Sequence, residues 1–433
     1  APDSIAARHA AAEIVRILRD AGHTAYFAGG CVRDELLGLT PTDYDVATDA
    51  VPGRICSLFP RTAEVGVSFG VVLVKLDHAV VEVATFRSDG TYSDQRRPDT
   101  VTFSDPIKDA QRRDFTVNAL FLDPFGEPDP AIPGIGGKGG GRIIDHVGGM
   151  ADLGRRVLRA VGEADQRLAE DHLRALRAVR LAARLGFSID PATAEAIRRH
   201  ARDLKGVSRE RIGDELRRIA AHPSRAAAAI LLHDLGLDEP VFVLEQPAEG
   251  FAPRVLGGLP GEALFATVLA AWAVDLGLSG DEPKAGEIAV NGLVRRWRRA
   301  MALSNEERDH LRAILVGFLC LRSKEAGHGG WGELSVARQK RSVCAPWFEQ
   351  SLLLVQAVDG PLAAAIAGRV GELAATPAGL CPEPLVTGDD LVAMGLVPGP
   401  AFKRILTEVY DAQLEGKVAG AAEARELARG RGV

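Results

Sequence analysis

GGCVRDELLGLTPTDYDVAT, residues Gly29 to Thr48, is the stretch on which the reading of this chain turns. Gly29 and Gly30 stand between a short apolar strand pattern, TAYFA, and a helical pattern, CVRDELLG. Without side chains, these positions let backbone N–H groups approach an anion at the start of the helix, as a triphosphate cradle requires. Asp43 and Asp45 lie two apart in a β-like segment, so the pleat turns both carboxylates to one face. Two hard oxygen ligands on one face suit Mg²⁺, and a pair of such ions activates an attacking hydroxyl and neutralises a leaving pyrophosphate. Taken singly, Gly-Gly before a helix is an ordinary turn and Asp-x-Asp a solvated loop. Joined at this spacing, with an arginine and an apolar helix between them, they point to nucleotidyl transfer.

Around this core the first 130 residues alternate helical and strand patterns. A helix is expected over Ala6 to Ala21, with further strands at GVVLVKL and VVEVATF. Glu82, amid apolar residues in VVEVATF, reads either as a third, inward-facing carboxylate or as the partner of an arginine such as Arg87. The Gly/Pro-dense run from Asp123 to Arg142 cannot hold a helix and marks the first boundary. Beyond it the pattern is helical throughout. The expected fold is therefore α+β: a head with a mixed sheet and helices (1–150), then an all-helical neck (151–240), body (241–380) and tail (381–433).

At 433 residues the chain has room for two to four domains. It carries 46% hydrophobic and 25% charged residues, and no apolar run reaches the roughly 18–20 residues that span a bilayer. The opening APDSIAARHAAAEIVRIL reads as an amphipathic helix and not as a secretory leader. Five cysteines (Cys31, Cys56, Cys320, Cys344, Cys381) are scattered without a CxxC pair or Cys/His ligand cluster, so a reducing cytoplasm and no structural zinc are expected. Net charge is −6, yet Asp152 to Arg225 holds 17 Lys/Arg against 11 Asp/Glu, a local +6 that leaves −12 elsewhere. Acidic chemistry and basic binding are segregated along the chain.

EDHLRALRAVRLAARLGF, Glu170 to Phe187, is read as one helix on which Asp171 and Arg174, three apart, share a face. Such a pair is by default a surface salt bridge. It also complements a base edge with an exocyclic amine beside a ring-nitrogen acceptor, the edge of cytosine and adenine but not of guanine or uracil. Arg177, Arg180 and Arg184 continue the helix, either as a positive stripe toward triphosphate or RNA or as solvated side chains. His233-Asp234 in ILLHDLGL has no upstream histidine pattern and reads as a core or helix-surface histidine. The glycine-rich run Gly134 to Gly141 lacks the ending of a P-loop and reads as a flexible insertion.

Gly29 to Thr48 resembles the head signature of the class II CCA-adding enzymes and bacterial poly(A) polymerases, within the polymerase-beta-like nucleotidyltransferase superfamily. The resemblance implies that Asp43 and Asp45 bind catalytic Mg²⁺ and that Arg33 and Asp34 belong to the nucleotide-binding head. RRDFTVNAL, Arg112 to Leu120, resembles the second family motif, which implies that Arg113 meets the triphosphate and Asp114 the ribose 2'-hydroxyl. EDxxR at Glu170 to Arg174 resembles the nucleotide-selecting motif and so favours base reading by Asp171 and Arg174 over the salt bridge. SRERIGDELRRI, Ser208 to Ile219, resembles the next motif and is expected to be mostly structural.

Within the family, Arg87 to Val101 looks like the flexible loop of CCA-adding and A-adding members, which disfavours CC-only addition. Val65 to Val74 lacks the paired arginines of poly(A) polymerases. GLVPGPAFKRIL is either a tRNA phosphate contact or a packing turn. The expected activity is template-independent addition of CCA, or its terminal A, to tRNA 3' ends from CTP and ATP, with no membrane and no obligate protein partner. Poly(A) addition is the alternative. A catalytically silent RNA-binding protein is opposed by the intact Asp43/Asp45 pair, and a drug-modifying nucleotidyltransferase would not need the arginine-rich helices.

Overall fold

A computed structural model describes residues 4–63, 70–76, 79–90, 100–127, 140–244, 250–278, 283–323 and 330–431. Most of the candidate flexible loop (91–99), the first half of Val65 to Val74 and nearly all of the glycine-rich run fall outside these residues. The chain divides into two compact units, Ala1–Glu215 with Leu231–Val241, and Leu216–Ile230 with Phe242–Val433.

The first unit opens with α1 (Ser4–Asp20), which buries Ala11, Ile14, Val15 and Leu18 at helical spacing. There follow β1 (Ala25–Ala28), α2 (Gly30–Leu36), β2 (Asp45–Thr48), α3 (Pro52–Leu58), β3 (Thr62–Ala63), β4 (Val71–Leu76), β5 (Ala79–Thr85), β6 (Arg87–Asp89), β7 (Val101–Phe103), α4 (Pro106–Gln111), β8 (Phe121–Asp123) and β9 (Arg142–Ile144). Among the described residues seven strands form one sheet in the order β3-β4-β5-β2-β1-β8-β9. It is mixed, because β2 and β5 run parallel while β1 pairs antiparallel with both β2 and β8.

Alternation along β5 explains which face is which. Val81, Val83 and Thr85 are buried while Val80 and Glu82 are exposed. Glu82 therefore does not face the core, as its apolar neighbours suggested; the period of two turns it to the open side. Phe121 shares the face of Asp45 and Glu82 through the register with Ala28, and Phe86 meets it there edge-on, with ring centroids 5.8 Å apart.

Helices α5 (Gly149–Arg155), α6 (Ala164–Glu170), α7 (Arg174–Leu185), α8 (Pro191–His200) and α9 (Arg209–Ala220) follow, with a 3-10 turn at Ala201–Gly206. The helix expected from Glu170 to Phe187 is in fact broken. Asp171 adopts an extended backbone (φ −152°, ψ 101°) at the end of α6. Its Oδ1 accepts from the Leu173 amide at 3.1 Å and its carbonyl accepts from the Arg174 amide. A short carboxylate that hydrogen-bonds to the backbone two residues on offers the chain an alternative to helix, and here it restarts the helix as α7.

In the second unit Phe242 packs between Trp272 and Trp297 at centroid distances of 4.8 and 4.9 Å. A capping box at Ser304 and Glu307 starts the helix Asn305–Arg322. A separate small core gathers Leu391, Ile405, Val409, Ala424 and Ala428 near the end of the chain. Contrary to the expectation of scattered thiols, Cys344 and Cys381 form a disulfide, with Cα atoms 6.0 Å apart. They are 37 residues apart in sequence, and only packing around the buried Lys340 helix brings them together. Among the described residues no helix is long and apolar enough to cross a membrane.

Candidate active site

The open side of the sheet in the first unit lines a cleft of about 620 Å³. Asp45 begins β2 and Asp43 lies just before it; Glu82 on β5 is the register partner of Asp45. Three carboxylates thus converge from two adjacent strands. Asp45 is pushed up to about 7, first by burial and then by the charges of Glu82 and Asp43, with Arg113 opposing. Glu82 is also raised: although its side chain is open to solvent, the cleft walls around it desolvate the carboxylate, the charge of Asp43 adds to this, and Arg87 opposes it. Both readings of Glu82 therefore meet: it joins the acidic cluster and also feels Arg87.

Facing the carboxylates is a cradle at the start of α2. Gly29 has φ +78°, and a Cβ built there would lie 3.0 Å from Arg113 Nη1. Only glycine combines that backbone with so close an arginine. Arg113 is held by Asp109 at 3.0 Å, donates to the Asn118 carbonyl at 3.1 Å and lies over the Phe121 ring. Burial would raise the Asp109 carboxyl, but the Arg113 and Arg112 guanidiniums outweigh it and hold it low.

Asp114 is the most heavily engaged of the predicted residues. Its Oδ1 accepts from the Phe115 amide (2.8 Å) and Asn118 Nδ2 (3.1 Å), and its Oδ2 accepts from Arg177 Nε (2.9 Å) and Nη2 (2.5 Å). Burial opposes ionisation, but Arg177 and Asn118 keep the carboxyl far below the usual range. Asn118 also accepts from Arg33, which grips Asp34, and Asp34 in turn accepts from Arg184 at 3.2 Å. One network runs from Arg184 through Asp34, Arg33 and Asn118 to Asp114 and Arg177. The α7 arginines, read as either a positive stripe or solvated side chains, are thus each matched to a carboxylate, since Arg180 meets the buried Glu215 at 2.6 Å.

Asp171 and Arg174 both line the cleft, without the shared helical face that their spacing suggested. Asp171 Oδ2 accepts from Arg211 Nη2 at 2.6 Å, while Arg174 donates to Glu170 and to the Arg167 carbonyl, each at 2.6 Å. All the predicted site residues line the cleft except Asp34, which lies buried behind Arg33. Residues missed in the sequence are Asn118 and Arg211. The first stood four positions after Asp114 in a motif already singled out; the second lay in a segment read as structural. His233, read as a core or helix-surface histidine, lies on the helix Arg225–Asp234 and pairs with Asp238 of the next helix at 2.7 Å.

Residues 25–159 match the poly A polymerase head domain, and residues 186–247 match the family described as a probable RNA and SrmB-binding site of polymerase A. The CCA-adding enzyme of Lactiplantibacillus plantarum is 33% identical over 414 residues, covering 93% of this chain and 91% of that protein. The chain belongs to the CCA-adding enzyme family. Its similarity to the Geobacillus stearothermophilus member is of the same order, 33% over 409 residues, covering 94% and 92%. Among solved structures, the Bacillus stearothermophilus CCA-adding enzyme in complex with CTP superposes with a TM-score of 0.74 at 29% identity, covering 97% of each chain.

Proposed function

We propose that this protein adds CCA to the 3' ends of tRNA from CTP and ATP, without a template, by Mg²⁺-dependent nucleotidyl transfer. The observation that carries the reading is the convergence of Asp43, Asp45 and Glu82 opposite an arginine-lined cradle. Asp45 and Glu82, whose carboxyls burial and neighbouring acidic charge push up, gain from a divalent cation, so the residues present fit the ion. Asp43 and Asp45 would hold it, with Glu82 as third carboxylate. When bound there, Mg²⁺ supplies charge neutralisation at the leaving pyrophosphate and eases deprotonation of the attacking hydroxyl.

The chain's own residues do the rest. Gly29, Gly30 and Arg113 receive the triphosphate, supported by Arg33 and Asp34. Asp114 accepts from the ribose 2'-hydroxyl, with Arg177 and Arg180 holding the wall of the cleft. Asp171 accepts from the exocyclic amine and Arg174 donates to the ring nitrogen of cytosine or adenine, while guanine and uracil leave buried groups unpaired. Transfer joins the tRNA 3' oxygen to the α-phosphorus as the bond to pyrophosphate breaks. In this reading residues 1–150 are the catalytic head, 151–240 the selecting neck, 241–380 the body and 381–433 the RNA-binding tail. A cytoplasmic location is supported by the substrates of this reading, tRNA, CTP and ATP.

Incubation with tRNA transcripts ending before CC, after CC, or with RNA lacking a tRNA body, given CTP and ATP separately, tests the proposal. CC then A on tRNA alone is expected. Long A-tails on any RNA overturn it.

A further inference from the structure

His172 directly follows Asp171, in the break between α6 and α7. The residue is 4% exposed, and its Nδ1 atom is buried without a hydrogen-bond partner. Buried polar nitrogens are rarely left so, because an unmatched one forfeits its hydration. Across from it lies the Asp203 carboxylate of the 3-10 turn, with Oδ2 4.0 Å from that nitrogen, beyond hydrogen-bond reach. His200, the last residue of α8, stacks on the His172 ring with centroids 5.7 Å apart and planes at 28°. Its Nδ1 lies 2.7 Å from the same Asp203 oxygen.

Each of the three side chains offers one ligand atom, and these atoms lie within 4.8 Å of one another. Around a tetrahedral ion bound at the usual 2.0–2.2 Å, ligand atoms sit roughly 3.3 Å apart, between the spacings of 2.7 and 4.0 Å seen here. Small side-chain rotations close the difference. Behind the cluster, Asp165 Oδ1 stands 3.5 Å from His200 Nε2. A carboxylate on the far nitrogen of a liganding imidazole fixes its tautomer and orientation. Asp203 is exposed and His200 partly so, which leaves an entry path from solvent.

We propose that His172, His200 and Asp203 form a site for one transition-metal dication of the zinc class. Two imidazoles and one carboxylate suit Zn²⁺ and disfavour Mg²⁺, which seeks oxygen ligands. The site shares no residue with the Asp43, Asp45 and Glu82 cluster and does not depend on the reaction proposed for it. Bound there, the ion ties the end of α8 to the residue after Asp171 and stiffens the break from which Asp171 projects. His200 and Asp203 are three apart in sequence, but His172 comes from the break before α7, so local spacing does not announce the full set.

The full chain, stripped with chelator and returned to millimolar Mg²⁺ so that the carboxylate cluster is occupied, is titrated with Zn²⁺ against a chromophoric chelator. A parallel titration uses Co²⁺ and reads its visible absorption. One equivalent of Zn²⁺ and a Co²⁺ spectrum of low coordination number are expected. H200A and D203N, both at accessible positions, should keep the wild-type circular dichroism and bind Zn²⁺ at least about 100-fold more weakly. Zn²⁺ uptake that Mg²⁺ abolishes, or equal affinity in H200A and wild type, overturns the proposal and leaves the two histidines as a packing pair.

Discussion

Glu82 and Asp45 are register partners across the parallel ladder of β2 and β5. Neither strand alone brings an acidic cluster together; the ladder does, about 4.8 Å from strand to strand. The consequence is a carboxyl at Asp45 raised to about 7 by burial and by its two acidic neighbours.

A raised folded-state pKa on an acid means that the native protein binds the proton more tightly than the unfolded chain. This group's contribution to stability therefore worsens as pH rises from the ordinary carboxylate range to about 7, and stays unfavourable above. Asp45→Asn removes it. Without divalent cation, thermal melts should show the variant more stable than wild type at pH 8 by on the order of 1–2 kcal/mol, and equal to it at pH 4. A variant that melts lower than wild type at pH 8 contradicts the strained cluster.

Asp43→Ala and Asp45→Ala should each lower incorporation into tRNA by at least about 1,000-fold, since several kcal/mol of charge stabilisation is removed. Equilibrium dialysis should still detect nucleotide, because Arg113 and the Gly29 cradle are intact. Turnover within a few-fold of wild type for both variants would remove them from the chemistry.

Arg174→Ala should blur the choice of CTP and ATP over UTP and GTP by about 10- to 100-fold. Arg211→Ala releases Asp171 from its 2.6 Å partner and should give a smaller loss of the same kind, visible mainly in KM. Unchanged base preference in competition assays with Arg174→Ala would exclude that residue from recognition.

Asp114→Ala leaves Arg177 without the carboxylate it grips through two nitrogens. Denaturant melts at pH 7 should show a loss of about 1–3 kcal/mol, discounted because Arg177 reaches solvent. The Asp114 carboxyl lies below its ordinary range, so this stabilisation exists above the unfolded pKa and is lost as pH falls beneath it. Asp114→Asn should in addition accept 2'-deoxynucleotides more readily, measured as the ratio of kcat/KM for CTP and dCTP.

Much of the site was legible because its parts are local. Gly29 and Gly30 sit between a strand and a helix, and Asp43 and Asp45 sit two apart, so chain-local geometry is enough to find them. Asp171 and Arg174 were found as residues but misread in geometry, because helical periodicity continues through Asp171 while its side chain captures the Leu173 amide and ends the turn. The paired fates of Arg177, Arg180 and Arg184 were open in the sequence. Their partners Asp114, Glu215 and Asp34 lie 63, 35 and 150 residues away.

From the residues alone came the strand–turn–helix of the cradle, the acidic pair, the helical back half and the α+β class, since each depends on periodicity and spacing within a few turns of chain. Tertiary structure decided that Glu82 faces the cleft, that Arg211 and not Arg174 holds Asp171, that Cys344 meets Cys381, and that His172 meets His200 and Asp203. Those outcomes depend on which distant segments pack together, and contacts across long separations leave no period in a sequence.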